Sequence, residues 1–380
     1  MSHEDFLEND APGQDFSSAL ERYMEACAEG TQGNLSLSEE EFNYIIDHFI
    51  DNENDIEALK VCRLAFSQHP YSLDLLIKFA DTLVVTGDLD NAKSLLDTYS
   101  DSYTDSAEIM YLYARIHVHK HNFEQARSYF AKVADQNNSH SNHYEAILAV
   151  SQDCIDESNF QEALYYLNKA SEIAPDMYEY FNDMAYCYEK IDKLDLSVQY
   201  YNKYLDRDPF NDNVWFNLGT IYARQGDYEK AIDAFEYSLA LNGKNSSSLY
   251  NMAVVHLNLE QFQKSVEFFN SFLEYEPDSI AGYIGLANAK MGLSDYSGAR
   301  EAFSKANELD PSCVEVNLGV EAISAIEHYI KGDKYSFYTR VNFIMGIDST
   351  WIDTLVKLLP ELKDDQEFAN YLKMVRKSDK

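Results

Sequence analysis

Five of the ten histidines fall close together in the chain: His117, His119, His121, His140 and His143. His117 and His121 are spaced i and i+4, so on a helix they share a face, which is a spacing that can hold zinc. No cysteine or glutamate completes a recognisable ligand set. The alternative places His117 in the core, His121 in a solvated turn, and His140 and His143 in a polar linker. The pattern leaves a metal site open without predicting one, and it implies no cofactor.

Acidic residues imitate the start of a calcium-binding loop at Asp51, Glu53 and Asp55. Ile56 stands where such a loop needs glycine, and Cys62 stands where it needs a bidentate glutamate. We interpret this stretch as a turn between two helices.

No motif of a known catalytic class is present, whether a glycine-rich phosphate loop, a nucleophile elbow or a zinc-protease helix. With 65 Asp and Glu in 380 residues, carboxylate pairs are too common for one pair to be assigned a general acid and base role. The sequence therefore predicts a protein that is not an enzyme.

The formal net charge of -35 repels phosphate backbones and anionic membranes, which disfavours nucleic acid and membrane partners and favours a neutral or basic protein. The charge is uneven, because residues 331–380 carry 9 Lys and Arg against 8 Asp and Glu. The C-terminal end is therefore electrostatically distinct from the rest of the chain.

Several features favour a cytoplasmic protein. The acidic N-terminal stretch does not resemble a secretory signal, and no apolar window reaches the length of a membrane span. The five cysteines form no CxxC pair, as expected for reduced thiols.

The elements that position these residues follow from a repeat of 34 residues. Its eight blocks start at Glu39, Leu73, Ala107, Tyr144, Tyr178, Asp212, Ser246 and Ile280. The twentieth position of every block is Ala or Ser, and the eighth is small in seven of the eight. Small residues at both positions allow two helices of a pair to approach closely. Position 24 is a large apolar residue in most blocks, and five of the seven prolines occupy position 32, where a helix ends.

This pattern resembles the tetratricopeptide repeat (TPR) family, whose unit has Trp, Leu, Gly, Tyr, Ala, Phe, Ala and Pro at set positions. The sixth block is most similar to it. Its matching residues are Trp215, Leu218, Gly219, Tyr222, Ala231 and Phe235. The resemblance implies an all-α, right-handed superhelical solenoid of antiparallel helix pairs with helical caps. The tyrosine-rich, acidic sequence is also similar to cytoplasmic repeat proteins of Bacteroidota.

The family's first helices line a concave face, which implies a partner-binding surface in blocks five to seven. Its candidate residues are Asn182, Tyr186, Phe216, Asn217, Tyr250 and Asn251. Asn217 and Asn251 occupy the position at which peptide-binding relatives hold a ligand backbone. Aromatic rings beside amides suit a bound peptide, although polar residues on a solvated helix face are the alternative. The basic clamp with which some relatives grip acidic chaperone tails is absent.

The second position is acidic in the first five blocks. These residues are Glu40, Asp74, Glu108, Glu145 and Glu179. A stacked array would align them as a negative stripe that attracts basic partners, so we include Glu145 and Glu179 in the candidate surface. First-turn acids that favour the helix dipole are an alternative, compatible explanation.

The predicted organisation has five parts. They are a disordered tail and N-terminal capping helix over residues 1–38, repeats one to three over 39–140, an insertion at 141–143, repeats four to eight over 144–313, and a C-terminal helical cap over 314–380. We expect the insertion to disturb stacking between repeats three and four. The leading hypothesis for function is a scaffold that binds protein segments along the concave face. The alternative is a regulatory or catalytic accessory that acts through the C-terminal cap.

Overall fold

The computed structural model describes residues 16–99, 106–134 and 140–378. Within these residues the chain forms α-helices and no β-strand. The chain divides into two compact units, Met1–Ile191 and Asp192–Lys380. The disordered tail expected before residue 16 lies outside the described residues.

Ten α-helices belong to the described part of the first unit. They are α1 (Ser17–Glu29), α2 (Glu39–Asp51), α3 (Asp55–Gln68), α4 (Leu73–Val85), α5 (Leu89–Tyr99), α6 (Ala107–His119), α7 (Phe123–Ala134), α8 (His140–Asp156), α9 (Phe160–Ile173) and α10 (Tyr180–Lys190). Helices α2 to α9 pack as four consecutive pairs, and the first helices α4, α6 and α8 also contact one another in sequence.

The described part of the second unit contains eleven α-helices. They are α11 (Leu194–Leu205), α12 (Asp212–Gln225), α13 (Tyr228–Leu241), α14 (Ser246–Asn258), α15 (Phe262–Tyr275), α16 (Ile280–Gly292), α17 (Tyr296–Leu309), α18 (Val314–Ile330), α19 (Lys334–Ile347), α20 (Trp351–Leu358) and α21 (Gln366–Ser378). Helices α12 to α19 form four pairs, and the first helices α12, α14, α16 and α18 contact one another in sequence.

Six of the eight blocks begin at the first residue of a helix because an N-cap residue precedes the block. Ser38, Ser72, Ser106, Asn211, Asn245 and Ser279 each accept a hydrogen bond from a backbone N–H in the first helical turn. This bond satisfies one of the otherwise unpaired N–H groups and sets the helix start.

The two other blocks lack such a cap, and their helices start elsewhere. Met177 precedes block five, and α10 begins two residues late, at Tyr180, without a side-chain cap. In block four, α8 begins at His140 and includes Ser141–His143. The polar linker expected at His140 and His143 is therefore wrong, because the inserted residues extend the helix by about one turn of 3.6 residues.

The repeat columns meet at the centre of each pair. The Ala and Ser residues of position 20 are fully buried in all eight blocks, and the fillers of position 24 are at most 3% exposed. A Cβ added to Gly219, at position eight, would lie 2.7 Å from two atoms of the Phe235 ring, at position 24 of the same block. The small residues are thus required by direct contact between the two helices.

Both ends of the array carry additional helices. α1 buries Ala19, Tyr23 and Ala26, whereas the neighbouring Met24 is 53% exposed. Ala19, Tyr23 and Ala26 are spaced by four and three residues and therefore share one face of the helix. Met24 follows Tyr23 directly and so points about 100° away from that face. At the other end, α18 and α19 continue the pairing, and α20 and α21 complete a separate buried cluster with them.

None of the helices in the described ranges is both long and apolar enough to cross a membrane.

Candidate partner-binding surface

The second unit brings together four of the predicted contact residues. Phe216 and Asn217 lie on α12, and Tyr250 and Asn251 lie on α14, the first helix of the next pair. All four side chains are half-buried. The Asn251 amide donates a hydrogen bond to the Thr220 hydroxyl of α12 at 3.4 Å, which links the two first helices. We call Phe216, Asn217, Tyr250 and Asn251 the first-helix surface.

Both rings of this surface pack on the second helix of their own pair. The Phe216 ring lies 6.1 Å from the ring of Phe235, and the Tyr250 ring lies 5.8 Å from Phe269 and 5.2 Å from Phe272. Burial and the nearby Glu315 carboxylate raise the pKa of Tyr250, so its hydroxyl stays protonated at neutral pH. The rings are held in place and present only one side to solvent.

The other two candidates lie on α10, in the first unit. The Asn182 amide donates to the Asp183 carboxylate at 3.2 Å. The Tyr186 ring lies 6.1 Å from Phe160, and the Lys190 ammonium lies 4.8 Å from its centre. The second unit therefore holds four of the six candidates, and the position of these four relative to Asn182 and Tyr186 stays a prediction.

The predicted acidic stripe lies entirely within the first unit. Its members are exposed except Glu108, which is half-buried. Glu40, Asp74 and Glu108 occupy first turns, where the helix dipole favours a negative charge. Glu145 does not, since α8 starts five residues before it and has no acidic residue in its first turn. The dipole alone therefore does not account for the whole stripe.

A buried ionic cluster in the first unit was missed by sequence reasoning. Arg115 of α6 pairs with Asp81 of α4 and makes two hydrogen bonds, of 2.6 and 3.0 Å, to Asp153 of α8. On the same helix, His119 lies 3.3 Å from Asp153 and 3.1 Å from Glu157. We call these five residues the Arg115 cluster. The sequence contains one signal for this contact, since position nine is Arg115 in block three and Asp81 in block two.

The histidine side chains that the structure describes in this stretch, His117, His119 and His121, lie in different environments. His117 is buried and stacks on Tyr129 with ring centres 5.4 Å apart, and burial lowers its pKa. His121 adopts a left-handed backbone conformation in the turn after α6. In the described residues, no group of three or more His, Cys, Asp or Glu could hold a metal ion. The side chains of His140 and His143 lie outside the described set.

The calcium-like stretch is a turn between helices. Asp51 ends α2, Asp55 begins α3, and Glu53 between them has a positive φ of 55°. This agrees with the interpretation from the sequence.

Family comparisons identify the repeat. Sequence profiles described as tetratricopeptide repeat match residues 77–141, 178–211, 213–245, 246–279 and 280–313, slightly more than half of the chain. The chain therefore belongs to the tetratricopeptide repeat family.

One curated relative matches over a short segment. Across 59 residues, the chain is 34% identical to anaphase-promoting complex subunit 6 of Dictyostelium discoideum. The match spans 16% of this chain and only 7% of that protein.

Two solved structures are similar to this chain, and the first of them has the same fold. The C-terminal part of a TPR repeat-containing protein from Cytophaga hutchinsonii is similar with a TM-score of 0.54 and 15% identity, over 64% of this chain and 98% of that chain. MamA from Desulfovibrio magneticus gives a TM-score of 0.40 and 17% identity, over 45% of this chain and 94% of that chain. The predicted all-α array of TPR-like helix pairs is confirmed, and an origin in Bacteroidota stays a prediction.

Proposed function

We propose that this protein is a non-enzymatic, cytoplasmic scaffold that binds protein or peptide segments on its first helices. The observation that carries the proposal is the first-helix surface, where two half-exposed rings and two amides stand on neighbouring helices joined by the Asn251–Thr220 hydrogen bond. Membership of a repeat family whose arrays form extended binding surfaces supports it.

The mechanism is surface display on a rigid support. The rings of Phe216 and Tyr250 supply apolar anchors at little cost in entropy, because packing on their own pairs already orders them. The amides of Asn217 and Asn251 can donate to and accept from a ligand backbone. The net charge of -35 increases the encounter rate with basic partners and disfavours nucleic acids and anionic membranes.

The double variant Phe216→Ala with Tyr250→Ala tests this proposal. Wild type and variant are used as baits in source lysate, and captured proteins are quantified by mass spectrometry. We expect the main partner to be lost, because truncating a central aromatic anchor costs about 2 kcal/mol or more. Circular dichroism must show an intact fold, since both rings also contact the core.

A matched control uses rings outside the first-helix surface. Phe210 and Tyr275 are 78% and 45% exposed, so Phe210→Ala with Tyr275→Ala removes the same two ring types. This control should capture the partner normally. If the first-helix variant is folded and also captures it normally, the surface assignment fails.

The C-terminal cap is the second candidate, as a regulatory or catalytic accessory unit. Its near-neutral charge sets it apart, and Tyr335, Phe343 and Ile347 are all exposed on α19. If Tyr335→Ala with Phe343→Ala removes the partner and the first-helix variant does not, the cap becomes the better assignment.

A further inference from the structure

An open pocket of about 400 Å³ lies between α14, α15, α16, α18 and α20, at the opposite end of α14 from Tyr250 and Asn251. Its apolar walls include Phe262, Met291, Trp351 and Leu358. Asn258 and Asn288 add amide groups. We call it the cap pocket. Its volume is within the range of about 300 to 1,000 Å³ typical of ligand sites.

The walls of the cap pocket are held by the core. Gly292 packs so closely on Phe262 that an added Cβ would lie 2.4 Å from the ring. Opposite, α20 is anchored by Ile352 and Leu355, which are buried in the cap cluster. The Lys357 ammonium also lies 3.0 Å from the Glu260 carboxylate, which ties α20 to the turn after α14. The pocket is therefore preformed, which reduces the entropic cost of filling it.

Helix α14 connects the cap pocket with the first-helix surface, because it carries Asn258 of the pocket as well as Tyr250 and Asn251 of the surface. Glu315 of α18 also lines the pocket, and its charge contributes to raising the pKa of Tyr250. Among the residues that the structure describes, Lys357 is the one cation that lines the pocket, and it is already paired with Glu260. The pocket consequently has an excess of negative charge, at Glu315, beside an apolar interior.

We propose that the cap pocket receives a large aliphatic or aromatic side chain of the bound protein segment, with a neighbouring lysine or arginine of that segment facing Glu315. This inference rests on the proposed function, since it treats the pocket as the continuation of the first-helix surface. Apolar walls select the inserted side chain, the amides of Asn258 and Asn288 face the segment's backbone, and Glu315 selects its charge.

Trp351 reports occupancy of the cap pocket directly. The chain has two tryptophans, so Trp215→Phe leaves Trp351 as the single indole fluorophore. The probe is a blocked heptapeptide with a central leucine between two lysines in a serine and alanine background. We expect a saturable change in Trp351 emission, and binding about tenfold weaker when alanine replaces the leucine.

Two variants in the Trp215→Phe background locate the binding. Thr354→Phe fills the pocket from the exposed side of α20 and should abolish the emission change. Thr339→Phe makes the same substitution at an exposed position of α19, outside the pocket lining, and should leave it intact. Equal effects of these two variants, or no saturable change in the parent, would overturn the proposal.

A third variant tests the charge selection. Glu315→Gln should weaken binding of the lysine probe and leave a serine-flanked probe unaffected. If both probes weaken equally, Glu315 does not select the partner's charge, and that part of the proposal is overturned.

The full-length partner separates this inference from the proposed function. If Phe216→Ala with Tyr250→Ala abolishes capture and Thr354→Phe does not, the first-helix surface stands and the pocket assignment is wrong. If Thr354→Phe removes the partner and the aromatic double variant keeps it, the pocket stands and the wider surface fails.

Discussion

A single backbone position governs the turn inside every repeat. Position 15 has a positive φ in all eight blocks, and the residue is glycine only at Gly87 and Gly226. The other six blocks place side-chain-bearing residues there. They are Glu53, His121, Ser158, Asp192, Glu260 and Ser294. A side chain in this conformation costs roughly 1 kcal/mol, so these turns are locally strained.

Replacing one of these residues with glycine should stabilise the protein. We expect Ser294→Gly to raise the free energy of unfolding by about 0.5 to 1 kcal/mol, because glycine removes the clash between Cβ and the backbone, although it adds entropy to the unfolded chain. Urea denaturation followed by circular dichroism measures the change.

The control makes the same substitution inside a helix. Ser304 is exposed within α17, where Ser304→Gly should instead cost about 0.5 kcal/mol. Destabilisation by both variants would contradict the assignment of strain to position 15.

At the scale of elements, the Arg115 cluster joins three successive first helices. Asp81, Arg115 and Asp153 come from α4, α6 and α8. The cluster maintains contact across the insertion, at which we expected the stacking to be disturbed. The division between the compact units lies elsewhere, after Ile191. The expected disturbance of stacking at the insertion stays a prediction.

His119 makes the contact between α6 and α8 sensitive to pH. Its two ring nitrogens face Asp153 and Glu157, so both hydrogen bonds form only when the imidazole is protonated. These carboxylates raise the pKa of His119, although burial and Arg115 oppose the shift. A raised folded-state pKa stabilises the protein at low pH, and this contribution is lost as pH rises through that value.

His119→Gln should remove this pH dependence. In the wild type we expect the component of stability due to His119 to fall as pH rises above about 6.5. The variant should be less stable than wild type at pH 6 and closer to it at pH 9. Urea midpoints across this range, measured on the full chain, test the expectation.

His117 provides a contrast on the same helix, because burial lowers its pKa. The contribution of His117 to stability is present above the pKa of the unfolded state and is lost as pH falls through the pKa of the folded state. We therefore expect His117→Phe to be more stable than wild type at acid pH. If His119→Gln and His117→Phe change the stability at acid pH in the same direction, the local environments of the two histidines do not control the pH dependence.

For the whole molecule, the distribution of charge should control the rate of encounter with a partner. Glu145→Lys with Glu179→Lys reverses two exposed members of the acidic stripe. We expect slower association and weaker capture at low salt. The difference should shrink at higher salt, because exposed charges are screened beyond about 10 Å at 0.1 M ionic strength. Association rates at several salt concentrations measure this.

A variant with the same change in net charge separates position from total charge. Glu274 and Glu301 are exposed on α15 and α17, outside the stripe. Glu274→Lys with Glu301→Lys should slow association less. If both pairs slow it equally, net charge alone determines the effect and the stripe has no special role.

The sequence by itself determined the repeat, and six of its eight block starts coincide with the first residue of a helix. Three local signals are present: a spacing of 34 residues, small residues at position 20, and Ser or Asn before six of the blocks. They are local because helix caps and close helix crossings depend on the residue type at known positions. At blocks four and five, where the cap signal is missing, the first helix does not start at the first residue of the block. Local signals therefore sufficed for the fold class.

Tertiary structure alone decided which side chains meet across repeats. Arg115 joins Asp81 and Asp153, and Glu315 lines the cap pocket together with Asn258, although each pair is separated by more than thirty residues in the chain. The return of α20 to form a wall of that pocket also depends on how the cap cluster packs. A 34-residue period defines each pair, but the contacts that make a binding surface depend on how the pairs and the cap pack, which the period does not encode.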